Sequence, residues 1–200
     1  MKIERFAVLA LALICLTPLA LCQKNSAGVF AVGNFNPSYQ IYLTGFPGLP
    51  VYGSNKSSLV GGLEYQRQIS RYFALSASYT QGPSDGKLIV PKYGLLSIWP
   101  TTQYDVLVTG VENFKLAKFT PFVTEGGGAI MTWGPTNSGL SADPTVAIGY
   151  GTDYRLSPHL SLRLAAQLLF VRQGCYGDPT CSADLNLVKQ LPKVGLFYNW

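Results

Sequence analysis

Three groups of residues in this chain have types and spacings that could do chemistry. His159 and Ser161 stand two apart in HLS, a spacing that can bring an imidazole base to a hydroxyl nucleophile. Cys175 and Cys181 bracket CYGDPTC, where two thiols could form a disulfide or contribute to a metal site. Glu64, Glu125 and Arg163 interrupt segments that are otherwise apolar on alternate positions, and charges set into such segments call for a partner of opposite sign. The glycines of TEGGGAIM add a weak phosphate-loop signal. They lie in a strand pattern with no following helix or lysine, so a strand bend or a lipid-facing patch accounts for them better.

Metal chemistry is poorly supplied, because His159 is the only histidine and no further cysteine accompanies the pair. No metal and no cofactor are therefore expected. Which reading suits the thiols depends on the compartment. In MKIERFAVLALALICLTPLALCQ, Lys2 and Arg5 precede an apolar run from Phe6 to Leu21 broken by Thr17 and Pro18, the pattern of a secretory signal peptide. The run is short, contains proline and is followed by polar residues, which argues against a membrane-spanning helix. Cleavage is expected after Cys22, giving residues 1–22 as signal and 23–200 as a single domain. LALC also resembles a bacterial lipoprotein signal, in which Cys22 would carry the lipid, although Leu21 stands where that pattern wants Gly or Ala. Export removes Cys15 and Cys22 and leaves Cys175 and Cys181 in an oxidising compartment, where a disulfide is the expectation.

Composition narrows the class further. Charged residues make up 12% of the chain against about 25% in soluble domains, and the mean hydropathy is +0.19. The net charge of +5 is spread too thinly to suggest a nucleic-acid partner. No apolar run after the signal is long enough to cross a bilayer as a helix, and a closed β-barrel is the other structure that satisfies every backbone group in lipid.

Strand patterns occur in pairs with short polar turns: 59–66 with 72–80, 103–113 with 119–131, and 144–154 with 159–171. Two single strands, 27–36 and 188–200, can close the sheet on each other. The expectation is an all-β, eight-stranded, antiparallel up-and-down transmembrane barrel. In 159–171 the leucines and Phe170 share one face, opposite Ser161, Arg163 and Gln167, and in 72–80 Phe73, Leu75, Ala77 and Tyr79 oppose Ala74, Ser76 and Ser78. Period alone leaves open a soluble, lipocalin-like barrel with an apolar lumen. The small Ser, Ala and Gly faces cannot serve as a charged, solvated exterior, so the apolar faces are assigned outward, to lipid.

The signal peptide, the rhythm of short turns and long loops, hairpins such as GYGTDYRLSPHLSLRL and the ending VGLFYNW together resemble the small outer-membrane β-barrels of the OmpA and OmpX type, over about residues 27 to 200. The resemblance implies a cell outer-membrane location with outer-membrane lipid around the barrel. It also implies that Trp200, Tyr198, Leu196 and Val194 form a C-terminal signal for the barrel-assembly machinery, a pattern that Pro192 breaks one step earlier. Trp200 would then sit in the periplasmic aromatic girdle.

Parity turns Glu64 and Arg163 inward, and the cost of a carboxylate in hydrocarbon places Glu125 there too. A narrow barrel fills its interior with side chains, so Arg163 is expected to pair with Glu64 or Glu125 in a polar plug. Lipid A deacylases use a His-x-Ser pair, but His159 follows a short turn and Leu162 replaces the asparagine of that family, so no enzymatic activity is expected. The long loops PSYQIYLTGFPGLPVYGSNKSS and QGPSDGKLIVPKYGLLSIWPTT are apolar and aromatic. They read either as strands continued beyond the membrane or as a contact surface for a ligand or partner. The function expected is structural or surface-interacting, with a narrow channel as the alternative and a lipid-modifying enzyme as a distant third.

Overall fold

The computed structural model describes residues 24–35, 39–41, 51–55, 57–84, 86–90, 94–133, 141–173 and 185–200. The signal segment and the Cys175–Cys181 stretch lie outside them. Eight long strands close into a barrel: β1 (Asn25–Asn34), β4 (Ser58–Gln68), β5 (Phe73–Pro83), β8 (Thr102–Asn113), β9 (Phe119–Trp133), β10 (Ser141–Arg155), β11 (Leu160–Gln173) and β12 (Leu185–Asn199). All pairings are antiparallel, and the first and last strands seal the barrel through a register running from Ser26↔Asn199 to Val32↔Lys193. These are the eight strands and the closure that the alternating pattern predicts.

Three short turns gather at one end. The tightest joins β8 to β9, where Leu116 and Phe119 exchange backbone hydrogen bonds of 2.8 and 2.7 Å around Ala117 and Lys118. Ala117 adopts φ 49°, the left-handed conformation that such a two-residue loop demands and that glycine supplies more cheaply. Leu156 and Ser157 both donate to the Leu160 carbonyl in the β10–β11 turn, and Ile69 and Ser70 do the same to Phe73 between β4 and β5.

The opposite end carries the long connections. Here β2 (Tyr39–Ile41), β3 (Val51–Asn55), β6 (Gly86–Val90) and β7 (Gly94–Trp99) form a separate four-stranded sheet in the order β2-β3-β6-β7. The first loop supplies β2 and β3 and the second supplies β6 and β7, and the pairing of β3 with β6 makes the two loops one structural unit.

Alternation decides which side chains fill the barrel. Val29, Leu63, Leu75, Val108, Val123, Ile148, Leu164 and Leu196 are exposed on the outer face, while Phe30, Val32, Leu107, Ile130, Leu169, Leu191 and Phe197 are buried inside. Glycines make room for the larger interior rings: a Cβ at Gly28 would collide with Phe197, and one at Gly62 would collide with Phe30. Gly126 and Gly128 also face inward, and a Cβ on either would strike a β8 carbonyl oxygen, so the TEGGGAIM glycines permit close approach of two backbones.

Candidate functional site

Arg163 projects inward from β11, where its side chain is 3% exposed. Cross-strand register puts Asp153 of β10 directly opposite. Arg163 Nε and Nη2 donate to the two carboxylate oxygens of Asp153, each at 2.7 Å. On the far side Nη1 donates to Glu64 Oε1 at 2.5 Å and Nη2 to Gln66 Oε1 at 2.8 Å. The rings of Phe122 and Phe197 flank the guanidinium, with centroids 4.8 and 4.1 Å from Cζ. A planar, forked cation suits this setting, because its edge can serve carboxylates while its faces lie against aromatic rings.

Glu64 is shared between two cations. Its Oε2 accepts from Lys193 Nζ at 3.1 Å and its Oε1 also accepts from the Ser76 hydroxyl at 2.9 Å. Lys193 rests over the Phe30 ring at 4.2 Å. Two carboxylates and two cations thus form one hydrogen-bonded group, which is how buried charges avoid the full desolvation penalty.

A second polar group lies nearer the long-loop end. Lys189 Nζ donates to Gln103 Oε1 at 2.8 Å, Gln103 Nε2 to Asp105 Oδ1 at 2.6 Å, and Thr80 Oγ1 to Asp105 Oδ2 at 2.9 Å. Asp143 is buried at the same end. Between the two groups most of the strands contribute apolar side chains, while β5 runs through Ser78 from Ser76 to Thr80. On β12 Leu191 separates Lys189 from Lys193, and on β8 Leu107 separates Asp105 from Thr109. Phe30, Ala147 and Leu169 belong to the same buried cluster. Beside Arg163 is a cavity of about 20 Å³ lined by Glu64, Ser76, Thr124, Gln167 and Lys193, space for about one water.

The predicted site residues are therefore divided. Glu64 and Arg163 meet in the lumen. Glu125 does not, and the expectation that it lines the interior is corrected: it is exposed on the outer face of β9, between Val123 and Gly127, with Gly110 and Ile148 as its register neighbours. Its flanking glycines carry no side chains from which parity could be read, and Gly126 and Gly128 take the inward positions. Asp153, Lys193, Asp105 and Lys189 were missed, although each alternates with an outward apolar or aromatic residue and could have been found by the same parity that identified Arg163.

Val194, Leu196 and Tyr198 of β12, with Trp200 directly after it, share one outer face and are about half exposed. Trp200 lies near the rings of Tyr198 and Tyr65, at centroid distances of 6.0 and 6.4 Å, and Phe119 meets Tyr154 at 5.0 Å, so aromatic side chains cluster at the short-turn end. Tyr79, Tyr104 and Trp133 stand toward the other end. His159 caps the short-turn end with Nδ1 3.1 Å from the Asn199 carbonyl and its ring stacked on Tyr198. Ser161 is buried and accepts from Asn199 Nδ2 at 3.3 Å.

No protein-family model and no curated protein sequence matches the chain. Solved structures do. Neisserial surface protein A is 9% identical, with 88% of this chain and 96% of that one covered at a TM-score of 0.57. OprG of Pseudomonas aeruginosa is 16% identical, covering 89% and 95% with a TM-score of 0.57. Ail of Yersinia pestis, the attachment invasion locus protein in complex with the heparin analogue sucrose octasulfate, is 11% identical, covering 90% and 100% with a TM-score of 0.54. Identities this low speak to architecture alone. The chain has the fold of the small, eight-stranded outer-membrane β-barrels.

Proposed function

We propose that this protein is an outer-membrane barrel that anchors a loop-borne surface and does not conduct. The observation that carries the reading is the doubly blocked lumen. Two hydrogen-bonded charge groups are separated by Phe30, Leu107, Leu169 and Leu191, and an ion would have to shed its water to pass that apolar layer. The outer face supports the membrane location, since leucines and valines occupy the outward positions of strand after strand with aromatic residues toward both ends.

The functional surface is then the long-loop end, facing the exterior. Pairing of β3 with β6 gives the first two loops a hydrogen-bonded framework, and their apolar, aromatic sequences suit contact with an external ligand or partner. In this reading residues 1–22 are a cleaved signal peptide, Val194, Leu196, Tyr198 and Trp200 serve recognition by the barrel-assembly machinery, and Cys175 and Cys181 staple a loop. No catalytic step is assigned to His159 or Ser161.

The test has two parts. The protein refolded into lipid should migrate differently on SDS gels before and after boiling, the behaviour of a closed barrel. Inserted into planar bilayers it should give no sustained conductance. Discrete, long-lived current steps would replace the anchoring role with that of a channel, and identical mobility before and after boiling would remove the membrane-barrel reading.

A further inference from the structure

The short turns are basic. Lys24, Arg71, Lys115, Lys118 and Arg155 are all exposed at that end. They come from different parts of the chain: Lys24 precedes β1, and the others belong to the three turns or their flanks. Backbone bonds tie the segments together, with Gln68 donating to the Lys24 carbonyl at 3.0 Å and Arg155 to that of Lys118 at 2.9 Å. Lys115 lies in the β8–β9 turn among them. Partial desolvation, together with repulsion from Lys24, Arg71 and Arg155, holds its ammonium below the ordinary lysine range.

Acids at this end are fewer than the cations, with exposed Glu112 at the end of β8 and the carboxylate of Trp200, whose backbone pairs with Asn25, set against the five basic side chains. Both oxygens of Asp153 are taken up by Arg163, and Glu112 stands on the outer face of β8. An excess of like charges at one end is a cost to the isolated protein, and an anion placed among them reduces that cost. The same turns also expose apolar side chains: Ile69, Tyr72, Leu116 and Leu156 are each about half exposed, and the Arg71 guanidinium lies 5.3 Å from the centre of the Tyr72 ring. Cations interleaved with apolar and aromatic groups match the boundary of a bilayer, where phosphates lie above acyl chains. A sugar–peptide polymer would offer those apolar groups nothing.

We propose that the short-turn end is a docking collar for anionic phospholipid headgroups of the inner leaflet, with Lys24, Arg71, Lys115 and Arg155 surrounding the phosphate and Ile69, Tyr72, Leu116 and Leu156 seated against the acyl chains. The inference rests on the membrane reading above and adds a ligand class to it.

The full chain, refolded into vesicles containing equal parts of phosphatidylcholine and phosphatidylglycerol, is first checked for heat-dependent gel mobility. It is then released into mild detergent, and the retained lipids are weighed by native mass spectrometry. Phosphatidylglycerol should be enriched roughly tenfold over phosphatidylcholine. The enrichment should vanish in the combined Lys24→Gln, Arg71→Gln, Lys115→Gln, Arg155→Gln variant, survive Lys115→Arg, and survive an excess of inorganic phosphate. A folded protein that retains the two lipids equally overturns the inference alone, as does enrichment undiminished in the combined variant. Binding of isolated peptidoglycan sacculi that depends on the four cations, without any lipid preference, assigns the collar to the cell wall instead. A protein that never becomes heat-modifiable overturns the membrane reading and the collar together.

Discussion

Asp153 and Arg163 face each other across β10 and β11, and the carboxylate takes two parallel hydrogen bonds of 2.7 Å from the guanidinium. The bidentate geometry fixes the arginine so that its remaining edge reaches Glu64 and Gln66 on β4, across the lumen. Removing the cation takes from Asp153 the guanidinium that binds both its oxygens, and leaves Glu64 with Lys193 and Ser76. Arg163→Ala should lower stability by about 3 to 5 kcal/mol where the site stays dry, and by less if water enters. Urea unfolding in lipid vesicles measures this, and conductance should stay near zero because the apolar layer remains. Unchanged stability would mean that water already screens the group.

Glu125 is exposed on the outer face beside Val123 and Ile148, a position that the proposed orientation exposes to acyl chains. Glu125→Val should stabilise the bilayer-inserted barrel by about 1 to 2 kcal/mol, less than the gain expected from removing a lysine or arginine at the same depth. The comparison is again made by urea unfolding in vesicles. A loss of stability would show that the carboxylate has a favourable contact in the membrane.

Trp200 lies on the outer face beside Tyr198 and Tyr65. If β12 also carries the signal for assembly, deletion of Trp200 should reduce the folded protein recovered in the outer membrane severalfold. Stability of the variant refolded in detergent should fall far less, by about 1 kcal/mol for the lost aromatic contacts. Normal outer-membrane levels of the variant would end the recognition role.

Ala117 holds φ 49° in the β8–β9 turn. A left-handed L-residue costs about 1 to 2 kcal/mol, and glycine relieves that cost while adding freedom to the unfolded chain. Ala117→Gly should therefore stabilise the barrel by about 0.5 to 1 kcal/mol, read as a higher urea midpoint with an unchanged slope. A lower midpoint would indicate that the Ala117 methyl has packing worth more than the strain.

The period-two pattern by itself determined the eight barrel strands, the short turns and most of the inward and outward faces, because in a strand a single side chain of known orientation fixes all the others. Leucines on alternate positions of 160–170 placed Arg163 inside, and Leu63 with Tyr65 did the same for Glu64. The same logic was available for Asp153, Lys189 and Lys193. It gave nothing at Glu125, where three successive glycines have no side chains to orient and a solvation argument stood in for parity; only pairing with Gly110 and Ile148 decided the face. Which charges meet was also a tertiary matter. Asp153 reaches Arg163 through the register of β10 against β11, while Lys193 reaches Glu64 because β12 and β4 flank the same strand, β1. The joining of the two long loops through β3 and β6 was likewise invisible, since pairing between distant segments depends on where the barrel holds their ends and not on any local pattern.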